Sequence, residues 1–113
     1  MPVAGPSGLG ALQAVKAADK KAIWVDTDGC ISAEEYCDVL LSSVVKGMDV
    51  AVTAAIKDSI DGKFDNEPYF GTLENEGVDL APYHEFEDEI SQETKDEIEA
   101  LKQEIIAGEV DFD

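Results

Sequence analysis

The chain has 113 residues, 44% of them hydrophobic and 30% charged, with 26 acids against eight lysines and no arginine. That length supports one small domain or part of a larger one, and the apolar content argues against disorder. The formal net charge of −18 leaves no basic face for phosphates, so nucleic acid is excluded as a partner.

Gly5-Pro6-Ser7-Gly8 reads as a loop leading into a helix over 9–20, where Leu12, Val15 and alanines 11, 14 and 18 recur at helical spacing. Ser7 is the candidate N-cap, and Lys20 and Lys21 suit the C-terminal end of the dipole. A short apolar run, 22–25, then ends abruptly on two carboxylates, Asp26 and Asp28, and reads as a strand over 22–26. Residues 29–38 form a polar loop with room for a helical turn at 33–36. A second apolar run, 39–45, is rich in β-branched residues and ends on one cation, Lys46.

A second helix is expected over 49–61, with Val52, Ala55, Ile56 and Ile60 as its apolar stripe and Asp61-Gly62 as its stop. Residues 69–73 are a candidate strand, and 77–82 an extended or turning segment broken by Pro82. A third helix opens at Ser91, carries Ile98, Leu101 and Ile105 on one face, and closes at Gly108. Residues 110–112 offer one last short strand. Helices alternating with strands in this order argue for an α/β architecture.

No apolar stretch approaches the ~20 residues that span a bilayer. The N-terminus lacks the charged start and apolar core of a secretion signal. Opening directly on a loop-like run, it suggests a chain that starts in mid-fold.

Charges at strand tips are cheap to solvate and stand at the sheet edge where open α/β folds bind ligands. Asp26 can accept two hydroxyl hydrogen bonds at once, which suits a sugar or ribose diol. Its plainer reading is a turn carboxylate, since Asp-Thr-Asp-Gly is good turn chemistry. Lys46 is a ligand cation or a solvated lysine before Gly47. Trp24, between Ile23 and Val25, reads as core.

Residues 26–35 also imitate a calcium loop with Asp26, Asp28 and Glu35. An EF-hand, however, needs a ligand at its fifth position, a Glu at its twelfth and an acidic helix leading in. Here the Ile and Glu arrive two residues early and a strand leads in. Cys30 and Cys37 lie seven apart. They either close a short loop as a disulfide, worth about 2 kcal/mol, or remain half-buried free thiols. With His84 distant in sequence they make no zinc pattern, so neither a metal nor a cofactor is expected. His84 reads as a loop residue, and no catalytic constellation is present, so no enzyme is indicated.

Several segments taken in order resemble the C-terminal part of the basic membrane protein (PnrA-like) family of nucleoside-binding lipoproteins of ABC transporters. Ala4-Gly5-Pro6-Ser7-Gly8-Leu9-Gly10 is similar to that family's Ala-Gly-Gly-x-Gly-x-Gly loop. Ile23-Trp24-Val25-Asp26-Thr27-Asp28 is similar to its Ile-Gly-Val-Asp-Ser-Asp strand. Ser42 to Lys46, Asp49 to Val52, Ile56 to Asp58, Asp61 to Phe64, Gly77 to His84 and Ile105 to Glu109 follow it in turn. Trp24 in place of a small glycine, Pro6 in place of a flexible residue, and the two cysteines depart from it.

The resemblance implies part of a bilobed type I periplasmic-binding-protein-like fold with three-layer α/β/α lobes. Residues 1–45 would finish the second lobe and residues 46–113 return largely to the first. Asp26 would hold ribose hydroxyls, Lys46 would help fix a nucleoside, most simply a purine nucleoside, and the Gly5 loop would offer backbone groups. The partners implied are a nucleoside and the transporter permease. The implied location is the cell surface or periplasm, through a lipid anchor outside this chain. A piece of such a protein is expected to expose apolar faces or to self-associate. A ligand-sensing domain of a regulator can share the fold.

Overall fold

The computed structural model describes residues 1–110. The expected strand at 110–112 lies largely outside them. A short 3-10 turn (Gly5–Ser7) feeds α1 (Gly8–Ala17), followed by β1 (Ala22–Asp26). A four-residue helix α2 (Gly29–Ser32) and a 3-10 stretch (Glu34–Val39) lead to β2 (Leu40–Lys46). Helix α3 (Met48–Ile60), β3 (Val78–Leu80), a 3-10 turn (His84–Phe86) and α4 (Gln92–Ile106) complete the order.

The three strands form one mixed sheet in the order β1-β2-β3. β1 and β2 are parallel, with Trp24 opposite Ser43 and Asp26 opposite Val45. Parallel neighbours need a crossover, and α2 with the 34–39 stretch supplies it. β3 runs antiparallel to β2, pairing Leu80 with Val44 and Val78 with Lys46. The result is a mixed α/β fold, consistent with part of a periplasmic-binding-protein-like lobe.

The core sits over β1 and β2, where Leu12 of α1, Trp24, Ala33 and Leu40 are buried together, with Ala22 and Tyr36 against them. Trp24 is therefore core, as its apolar neighbours suggest. Glycine at 29 makes this packing feasible. A Cβ there would stand 2.4 Å from Leu40 Cδ1 and 2.9 Å from Trp24 Cβ. Two serines enter this sheet buried, each with a partner. Ser43 Oγ accepts from the Gly29 N–H at 2.9 Å, and Ser42 Oγ donates to the Ala81 carbonyl at 2.8 Å. Satisfied in this way, neither carries the cost of an orphaned buried hydroxyl.

Several local expectations shift. α1 ends at Ala17 rather than Lys20, because Asp19 takes a left-handed φ of 51° and turns the chain out of the helix. Ser7 itself lies in helical conformation, so its hydroxyl makes no cap bond. The 29–38 segment is mostly helical rather than loop. The strand expected at 69–73 is absent, and Val78–Leu80 pairs with β2 instead. Asn75 explains the change. Its side chain accepts from Thr72 N at 2.8 Å and from Gly77 N at 3.0 Å, and donates to the Phe70 carbonyl at 2.9 Å. Those local bonds curl residues 70–77 into a turn.

Other signals hold. Ser91 caps α4 by accepting from Thr94 N at 3.1 Å, and Gly62 and Gly108 follow their helices with φ of 67° and 72°. Ile98, Leu101 and Ile105 share one wall of a groove of about 530 Å³ between α4 and β3. Neither α3 nor α4 buries a single residue, and Val52, Ile56 and Ile60 stand 58%, 56% and 79% exposed. The expectation of uncovered apolar faces is met on α3.

Candidate functional site

Asp26 is the last residue of β1 and Lys46 the last of β2. Because these strands are parallel neighbours, both side chains emerge at the same carboxyl edge of the sheet. Lys46 Nζ lies 2.6 Å from Asp26 Oδ1. The contact is a close ion pair without the alignment of a hydrogen bond, since Oδ1 is shut off from solvent and has no hydrogen-bond partner. The two side chains as wholes remain about half exposed.

The backbone at this point is unusual. Asp26 has φ of 73°, in the left-handed region that few residues other than Gly, Asn and Asp occupy. Its position at the strand tip turns the chain sharply away from β1. Such local strain concentrates where surrounding structure imposes it, often at binding sites.

A cavity of about 260 Å³ opens beside Asp26, lined by Gly5, Pro6, Leu9, Thr27 and Ser32 among others. Gly5 and Asp26, far apart in sequence, thus share one hollow. Thr27 Oγ1 donates to Ser32 Oγ at 2.8 Å, which in turn donates to the Asp28 carbonyl at 3.0 Å. Lys46 lines a separate neighbouring hollow with Gly47, Tyr69 and Gly77. The ion pair bridges the two hollows. Thr27 and Ser32 carried no ligand signal in the sequence, since hydroxyls in a polar loop are ordinary.

Asp28 points elsewhere. Its Oδ1 accepts from Cys30 N at 3.0 Å, capping α2, and its Oδ2 lies 2.7 Å from His84 Nε2. Asp26, Asp28 and Glu35 form no common cluster of oxygen ligands among the described residues. The calcium-loop reading finds no support in this arrangement. Cys30 and Cys37 are joined as a disulfide, with Cα atoms 4.6 Å apart, which ties α2 to the following 3-10 stretch.

A protein-family model described as ABC transporter substrate-binding protein PnrA-like (Bmp) matches residues 1–113. The chain belongs to this family. No curated protein matches it. In this Bmp-family chain, the Gly5 loop and the end of β1 together line the hollow beside Asp26. Trp24, buried in the core, also lines this hollow beside Asp26.

Proposed function

We propose that the chain is the C-terminal portion of an extracytoplasmic, non-enzymatic solute-binding component of an ABC importer, taking up a nucleoside. In this reading Asp26 accepts two ribose hydroxyls, Lys46 fixes the ligand from the adjacent strand, and the Gly5 loop contributes backbone groups. Residues 1–45 finish the second lobe. Residues 46–113 return largely to the first, with β3 remaining on the β2 sheet. The partners are a nucleoside, most simply a purine nucleoside, and the transporter permease. A lipid anchor outside this chain holds the protein at the cell surface or in the periplasm.

The observation that carries the proposal is the Asp26–Lys46 pair, 2.6 Å apart at one sheet edge. An oxygen acceptor and a cation side by side match the donor and acceptor pattern of a sugar bearing a heterocycle. Bare apolar faces on α3 fit a piece whose remaining lobe elements cover them. Cleft closure would then lock the ligand between rigid lobes.

Calorimetric titration of the complete two-lobed protein with adenosine, guanosine, uridine and free ribose tests the reading. Saturable heat with a nucleoside and none with calcium is expected. Heat with calcium alone, or with no nucleoside at all, overturns it.

A further inference from the structure

Three metal-ligating atoms from distant parts of the chain converge beside β1. One carboxylate oxygen of Asp28, the Cys30 sulfur and a ring nitrogen of His84 all lie within 4.8 Å of one another. Asp28 and Cys30 are half-buried, and His84 reaches in from the exposed turn after Pro82 and Tyr83. His84 adopts a left-handed φ of 47°, and its Nε2 lies 2.7 Å from Asp28 Oδ2. The other Asp28 oxygen is held by the Cys30 N–H at 3.0 Å, so the carboxylate is oriented before any ion arrives.

We propose that Asp28, Cys30 and His84 form a redox-gated zinc site, with Cys37 as its gate. In the disulfide form the Cys30 sulfur is bonded to Cys37 and offers no thiolate. Two ligands remain, too few for a firm tetrahedral site. An external dithiol opens the gate by thiol–disulfide exchange. Its two S–H bonds break, its own S–S bond forms, and Cys30 and Cys37 take up the two protons as thiols. Zn²⁺ then displaces the Cys30 thiol proton to solvent and binds thiolate, neutral imidazole Nε2 and carboxylate Oδ2. Water takes the fourth position.

The geometry suits this ion. Around tetrahedral zinc, such donors stand about 3.3–3.6 Å apart, given metal–ligand distances of about 2.0–2.3 Å. Small adjustments bring three atoms within 4.8 Å to that spacing. The mixed thiolate, imidazole and carboxylate set favours zinc over the oxygen-seeking magnesium and calcium. Loaded zinc would cross-link α2 to the turn at His84–Phe86, close behind Asp26.

Zinc chloride is titrated calorimetrically into the 113-residue chain, once oxidised and once reduced with dithiol that is then removed anaerobically. The reduced chain should bind one equivalent at least 100-fold more tightly than the oxidised chain. Cobalt(II) should give thiolate charge-transfer and tetrahedral absorption bands in the reduced form alone. Reduced H84A should lose at least tenfold in affinity. C37S, which frees Cys30 permanently, should bind within about tenfold of the reduced wild type with or without reductant, whereas C30S should not. Equal affinity in both redox forms, which an acid-rich surface alone would produce, overturns the proposal. So does reduced H84A binding like wild type, or C30S binding like C37S.

Discussion

Asp26 and Lys46 occupy the final positions of two parallel neighbouring strands, and their charged atoms meet at 2.6 Å across the sheet edge. Neither charge is fully withdrawn from water, so the pair itself contributes little to stability, about 0–1 kcal/mol. In the reading proposed above, its value lies in presenting an acceptor and a donor in fixed relation.

In the complete protein, Asp26→Ala and Lys46→Ala are each expected to weaken nucleoside binding by about 1–3 kcal/mol, the scale of lost charge-assisted hydrogen bonds. Isothermal calorimetry reads the change directly. Unaltered affinity in both variants would remove the pair from the binding site.

Conformation and charge at Asp26 can be separated. Asn tolerates the left-handed backbone almost as well as Asp, so Asp26→Asn should cost about 1 kcal/mol or less. Asp26→Val places a β-branched residue at φ of 73° and should cost about 1–2 kcal/mol more. Urea denaturation midpoints compare the two. Equal loss would show that the surrounding fold does not enforce the strain.

Gly29→Ala should destabilise the chain by about 1–3 kcal/mol, the range for overpacking a tight core. The added methyl meets the terminal Cδ1 methyl of Leu40, which is buried, and the Cβ of Trp24, which is fixed to the backbone. Paired with Leu40→Ala, part of the loss should return, since the nearest clash is with Leu40 Cδ1 at 2.4 Å. Thermal unfolding of the single and double variants checks the coupling.

Acid should loosen the attachment of α4 to β3. Burial raises the Asp79 pKa, but the hydrogen bond from Lys102, the Leu80 N–H and the Lys102 charge together bring it below its ordinary value. A carboxylate with a lowered native pKa stabilises the fold above its unfolded pKa of about 3.9. That contribution disappears as pH falls through the lower native value. The side chain is more than half exposed, so the effect is small, about 0.5 kcal/mol. Urea midpoints of wild type and Asp79→Asn should differ above pH 4 and converge in stronger acid.

The apolar stripe of α3 offers a further check. Val52 and Ile56 are more than half exposed, so Val52→Glu with Ile56→Glu should leave the melting temperature within a few degrees. The same pair should reduce binding of a hydrophobic dye and any concentration-dependent association. A large fall in melting temperature would mean that this face is already covered in solution.

Much of the architecture was legible because its signals are local. A helix announces itself through residues three and four apart, so α3 and α4 could be read from Val52, Ile56 and Ile60, and from Ile98, Leu101 and Ile105. The Ser91 cap and the glycines after each helix act within a single turn. Asp26 and Lys46 were also visible as charges closing apolar runs. The strand near residue 70 was misplaced because Tyr69 and Phe70 have strand-forming side chains, whereas Asn75 rewards a turn more strongly.

Sequence by itself determined the family, the three longer helices and the two charged strand tips, since these depend on composition and short spacing. Only the tertiary structure decided that Asp28 meets His84 across 56 positions, that Gly5 shares a hollow with Asp26, and that Val78–Leu80 completes the sheet. Contacts of that kind arise from how elements stack and cross. No residue carries a mark of its partner when dozens of residues separate them.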